Sequence, residues 1–137
     1  MNLKIFTDGG SRGNPGEAAV GVVIFNNEDG ARIAEIGQAI GVATNNIAEY
    51  SGVLKALEWV MENVNCSKIE FVLDSELVVK QLTGEYKVKD QNLKKIYLEI
   101  KDILQREGIA STFTAVRREK NTEADALVNK ALDAKLS

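Results

Sequence analysis

The chain has 137 residues, with 17 Lys and Arg against 20 Asp and Glu for a net charge of −3, a single cysteine and no histidine. That length fits one domain, here residues 1–137, with a sizeable core. The missing histidine excludes Ser-His-Asp triads, Cys-His pairs and ordinary zinc sites, and the lone Cys66 excludes an internal disulfide and fits a reducing compartment. The slight acidic excess is opposite to the basic balance of most nucleic-acid binders, but a carboxylate-lined cleft would itself account for such a balance.

In chain order, Leu3–Thr7 reads as a strand running from the start of the chain rather than as a leader, and no apolar run is long enough to span a bilayer. A cytoplasmic protein without a membrane partner is expected. The stretch Gly9–Gly16, holding the only proline, reads as a loop before the apolar strand Ala18–Phe25. Asp29-Gly30 marks a hairpin into a third strand near Arg32–Ile40. Thr44 and Asn45 cap a helix to about Asn63. Along it Ile47, Tyr50, Leu54, Leu57 and Met61 form one stripe, and Glu49, Val53, Ala56 and Val60 another. Lys68–Leu73 is a short buried strand. Ser75 caps a helix through Leu82, and Asp90 caps the next, with Leu93, Ile96, Tyr97, Ile100, Ile103 and Leu104 as its core face and Gly108 as its stop. Ser111–Val116 alternates as a strand, and Thr122 caps the last helix with Asp125 three residues on. The order β-β-β-α-β-α-α-β-α predicts an α/β fold. It has a mixed five-stranded sheet, three strands antiparallel and then two parallel, with helices on both faces.

Asp8, Glu49, Asp74 and Asp125 stand out within this frame. Each is placed at a strand end or a helix start, where open α/β sheets gather ligands. Glu49 and Asp125 each head an apolar row, so each points inward and needs a partner. Clustered carboxylates repel unless protons or cations neutralise them. Hard oxygen donors suit Mg²⁺ or Mn²⁺, and two such ions held by carboxylates make a phosphodiester-cleaving site. Ser11, Arg12 and Asn14 add donors to the glycine loop after Asp8, in position for a phosphate backbone. Thr44-Asn45-Asn46 opens a helix and serves capping equally well. Lys87, Lys89, Lys94 and Lys95 gather around the start of the Asp90-capped helix, and Arg117, Arg118 and Lys120 lie just before Asp125. Both groups fit phosphates. Trp59, Met61, Phe71 and Cys66 read as packing.

Thr7-Asp8-Gly9-Gly10-Ser11-Arg12-Gly13-Asn14-Pro15-Gly16, Thr44-Asn45-Asn46-Ile47-Ala48-Glu49, Leu73-Asp74-Ser75 and Arg118-Glu119-Lys120-Asn121-Thr122-Glu123-Ala124-Asp125 together resemble the motifs of type 1 ribonucleases H. The resemblance spans nearly the whole chain. It implies a ribonuclease H-like fold and hydrolysis of the RNA strand of RNA–DNA hybrids, with two Mg²⁺ or Mn²⁺ ions on Asp8, Glu49, Asp74 and Asp125. It further implies products with 5′-phosphate and 3′-hydroxyl ends. Gly9, Gly10, Ser11, Asn14, Asn45 and Asn46 match positions lining the minor groove of the hybrid, Thr44 matches a DNA-phosphate contact, and Arg12 and Asn121 are expected to join the substrate-binding set. The 2′-hydroxyls would mark the RNA strand. Many relatives carry a mobile histidine before the last aspartate. Arg118 is the candidate substitute, for phosphate charge rather than proton transfer, since arginine stays protonated. The long basic protrusion of some relatives is reduced to Glu85–Lys89. A monomer is expected. Competing readings are a nuclease that also cuts double-stranded RNA or branched DNA, a hybrid-binding module without catalysis, and a phosphotransferase. For the last, Asp8-Gly9-Gly10-Ser11 is similar to the phosphate loop of actin-like kinases, which need two such domains.

Overall fold

The computed structural model describes residues 1–136. Its strands are β1 (Asn2–Gly13), β2 (Gly16–Asn26), β3 (Arg32–Ala43), β4 (Lys68–Leu73) and β5 (Ala110–Ala115). Its helices are α1 (Asn45–Asn63), α2 (Glu76–Leu82), α3 (Gln91–Arg106) and α4 (Thr122–Leu136), with a one-turn 3₁₀ helix at Arg118–Lys120. The strands form one sheet in the order β3-β2-β1-β4-β5. The β1–β2 and β2–β3 pairs are antiparallel, and the β1–β4 and β4–β5 pairs are parallel. The mixed sheet expected from the element order is the sheet observed.

Side-chain periodicity explains the layers. Leu3 and Ile5 of β1, Val22 and Ile24 of β2, and Ile69, Phe71 and Leu73 of β4 send alternate side chains into one core. That core is closed by Tyr50, Val53, Leu57 and Val60 of α1 and by Ile100, Ile103 and Leu104 of α3. On α1 the inward surface combines Glu49, Val53, Ala56 and Val60 with Tyr50 and Leu57. Met61, expected in the packing, is 36% exposed instead. Helix α4 packs against β1, β2 and β3, where Val128 and Leu132 meet Ala19 in a second, smaller core.

Two elements depart from the sequence reading. Gly9–Gly13 is not a loop. It continues β1, paired residue by residue with β2 down to Gly13 opposite Gly16. Asp8 therefore lies mid-strand opposite Gly21 rather than at a strand end. Turn chemistry in the segment favours a loop, but a long antiparallel partner supplies a pair of hydrogen bonds at every second extended residue. At the other end of the chain, helix α4 already includes Thr122, and the carbonyl of Asn121 accepts the first helical bond from the Asp125 N–H at 3.2 Å. Asn121 thus takes the capping position expected of Thr122.

Both helices that carry acids lie close enough to the sheet to demand glycine beneath them. A Cβ on Gly9 would sit 2.1 Å from the Ala48 carbonyl of α1, and one on Gly21 would sit 2.1 Å from the Ala124 carbonyl of α4. By contrast, a Cβ on Gly10 would meet only Val128 at 3.6 Å, an ordinary contact. Gly9→Ala is therefore expected to cost about 3 kcal/mol or more in urea unfolding, whereas Gly10→Ala stays close to wild type.

Candidate active site

Three elements bring the acids together. Asp8, 6% exposed on β1, and Glu49, 8% exposed on α1, form the floor. Asp74 follows β4 at the edge of the same cleft. Each of these three offers a carboxylate oxygen within 4.8 Å of the others, a donor set that could hold a metal ion. Asp125, exposed in the first turn of α4, lines the same cleft but lies outside that tight trio among the described residues. Its carboxylate accepts a bond from Asn129 Nδ2 at 3.4 Å.

The geometry has an electrostatic cost. Burial, then the charge of Asp74, raises the Asp8 carboxyl from 3.8 to about 7, against partial relief from bonds with Glu49 and the Gly9 N–H. Burial, then the charges of Asp8 and Asp74, raises Glu49 still further. Glu49 Oε2 is buried without a hydrogen-bond partner. Buried polar atoms are rarely left so in folded proteins. An orphaned oxygen beside two more carboxylates is the arrangement a divalent cation satisfies. The residues present fit such an ion.

The cleft has a volume of about 380 Å³, and its lining includes Gly9, Gly10, Ser11, Arg12, Asn45, Asn46, Ser75, Arg118 and Asn129 besides the four acids. Its far wall is pre-ordered. Asn45 Oδ1 accepts from the Ser11 N–H at 2.9 Å, and Asn14 Oδ1 accepts from the Asn45 N–H at 3.1 Å. These bonds tie the tip of the β1–β2 hairpin to the start of α1. Thr44 caps α1 by accepting from the Ile47 N–H at 3.2 Å. It opens onto a neighbouring hollow, also lined by Asn14, Asn45, Asn46 and Asn92.

Several expected substrate contacts have other employment. Gly9 is buried beneath α1, so its role in the fold is to admit the helix. Arg12 lines the cleft, but its guanidinium is paired with Asp133 at 2.6 Å. Asn121, expected at the substrate surface, is 1% exposed. Its amide donates inward, to the Thr7 carbonyl at 2.9 Å and to Asp74 at 3.4 Å. Arg118, on the 3₁₀ turn, does face the cleft. Two lining residues escaped the sequence reading. Ser75 was seen only as a cap, and Asn129 was legible in principle, since it lies one helical turn beyond Asp125.

The sheet order and the acidic cleft define a ribonuclease H-like protein, and comparisons with known proteins agree. A family model described as reverse transcriptase-like matches residues 6–131. The RNase H1 of the halophilic archaeon Halobacterium salinarum superposes with a TM-score of 0.91 at 42% identity, over 98% of this chain and 99% of that one. LC11-RNase H1, solved in complex with an RNA/DNA hybrid, gives a TM-score of 0.92 at 42% identity, over 98% and 99% of the two chains. The bifunctional protein Rv2228c of Mycobacterium tuberculosis is 40% identical over 98% of this chain, which spans only 36% of that protein's length. This chain belongs to the type 1 ribonuclease H family. Among the described residues no helix is long and apolar enough to cross a membrane.

The raised carboxyls set a pH dependence in metal-free protein. Between about pH 4 and 7 unfolded Asp8 loses its proton while folded Asp8 keeps it. The folded state then binds more protons, so its stability falls as pH rises. In chelator, Asp8→Asn is expected to melt above wild type by more than ~4 °C at pH 8, with the gap shrinking toward zero near pH 4. Mg²⁺ should then raise the midpoint of the wild type more than that of Asp74→Asn, and equal shifts would remove Asp74 from the ligand set.

Proposed function

We propose that this chain is a metal-dependent endoribonuclease that hydrolyses the RNA strand of RNA–DNA hybrids, leaving 5′-phosphate and 3′-hydroxyl ends. One observation carries this reading: the carboxylate oxygens of Asp8, Glu49 and Asp74 lie within 4.8 Å of one another in a cleft open to a large ligand. Family membership and the hybrid bound by LC11-RNase H1 support the choice of substrate.

Asp8, Glu49, Asp74 and Asp125 would hold two Mg²⁺ or Mn²⁺ ions. When bound, such ions activate water and stabilise charge on the leaving 3′-oxygen. The protein's own groups do the rest. The close-packed trio supplies negative charge at fixed separation, already desolvated, so little reorganisation is needed during reaction. Ser11, Asn45 and Asn46 present polar groups beside the trio. They can read the 2′-hydroxyls and minor-groove edges that distinguish RNA from DNA. Arg118 faces the same cleft with a permanent positive charge and stabilises the phosphate undergoing attack.

Labelled RNA–DNA hybrid, double-stranded RNA and duplex DNA, each incubated with Mg²⁺ or with chelator, test the proposal directly. Cleavage confined to the RNA strand of the hybrid and abolished by chelator is the expected result. Cutting of double-stranded RNA would broaden the substrate class, and binding without cleavage would reduce the chain to a hybrid-binding module. Asp8→Asn is expected to lose cleavage while keeping its fold by circular dichroism. Arg118→Ala should turn over ~10²-fold more slowly with Mg²⁺ affinity retained, and an unchanged rate would take Arg118 out of the mechanism.

A further inference from the structure

Asn121 stands where three parts of the site meet. Its N–H donates to the Arg118 carbonyl at 2.9 Å, closing the 3₁₀ turn that carries Arg118. Its own carbonyl accepts from the Asp125 N–H, opening the helix that carries Asp125. Its side-chain amide donates to the carbonyl of Thr7, the residue before Asp8, and to Asp74 Oδ2. The backbone explains why an amide is needed there. Strands β1 and β4 pair in parallel register only as far as Phe6 opposite Val72. Beyond that point β4 ends at Leu73, and the Thr7 carbonyl has the Asn121 amide as its partner.

The chemistry of the side chain is specific. An amide NH₂ has two donor hydrogens, one for the strand carbonyl and one for the carboxylate. An Asp in its place would add another negative charge to the cluster, and a Lys would compete with a cation for Asp74. A neutral, planar, two-donor group satisfies both neighbours and leaves the charge of the cluster unchanged. Its Oδ1 is buried without a partner, a desolvation cost accepted alongside those two bonds.

We infer that Asn121 is a positioning residue, whose amide ties the Asp74 carboxylate to the backbone of β1 and so sets the separation between Asp74 and Asp8 at which both can share a divalent cation. This deepens the metal-dependent reading above and rests on it. Hydrogen-bond partners of ligating carboxylates orient them, and their loss typically weakens metal affinity or activity 10- to 100-fold.

The test is Asn121→Leu, which keeps the number of side-chain heavy atoms and the branch at Cγ and has no donor. Calorimetric titration with Mg²⁺ alone should show affinity reduced about tenfold, with kcat on the hybrid falling at least as far and KM little changed. A plug that merely fills space would leave Mg²⁺ affinity intact, so a folded Asn121→Leu protein binding Mg²⁺ like wild type overturns the inference. NMR of the wild type needs no substitution at Asn121. Its side-chain amide resonances should move on addition of Mg²⁺, and should stay still in Asp74→Asn. Resonances unmoved in the wild type, or moving equally in both proteins, would also overturn it. A wild type that binds Mg²⁺ and leaves hybrid uncut sinks the proposed function while leaving the role of Asn121 standing.

Discussion

Everything at this site follows from how closely two helices approach the sheet. Helix α1 rests its Ala48–Glu49 backbone over Gly9, and α4 rests its Ala124 carbonyl over Gly21. Gly9 follows Asp8, and Gly21 is the cross-strand partner of Asp8. These two glycines, each under a helix backbone, therefore flank the central acid, one along its strand and one across from it. Each helix delivers its own acid within one residue of the contact, Glu49 after Ala48 and Asp125 after Ala124. Helix-to-sheet distance, and through it carboxylate separation, is set by backbone contact rather than by flexible side chains.

Such proximity is electrostatically unfavourable, and the fold tolerates it because the cost is local. Leu3, Ile5, Tyr50, Leu57, Phe71 and Ile100 belong to one fully buried core. Burying those side chains contributes roughly 2 kcal/mol each. Asp8 and Glu49 lie at the margin of that core, nearly dry yet facing a cleft. Their raised proton affinities and the unpartnered Glu49 oxygen are two expressions of the same condition. A divalent cation held among these carboxylates would relieve their repulsion.

The opposite wall of the cleft is organised by neutral groups. Asn45 Oδ1 accepts from the Ser11 backbone and Asn14 Oδ1 from the Asn45 backbone, fastening the hairpin tip to α1, whose first turn Thr44 caps at the Ile47 N–H. That wall is thereby fixed before any ligand arrives, and such preorganisation lowers the entropy lost on binding. Arg12, tied to Asp133, and Lys135, paired with Glu17, clamp the end of α4 to the same hairpin. The cleft is bounded on that side by a charged latch of exposed pairs, each weak singly.

Much of this was legible in the chain itself. The number, type and order of the elements follow from periodicity and from capping residues such as Thr44, Ser75 and Asp90, because those signals act within a turn or two of the backbone. The four acids were legible for the same reason: Asp8 and Asp74 each follow an apolar strand run, and Glu49 and Asp125 each head an apolar helical row. What only the tertiary structure decided are the contacts between distant segments. Gly9–Gly13 extends because β2 lies alongside it, Gly9 is required because α1 crosses it, and Asn121 turns inward because β1 and β4 part beside it. Local sequence encodes which conformation each segment prefers. It does not encode which backbone will come within bonding distance of it, and at this cleft those approaches decide which residues are packed inward and which face the cleft.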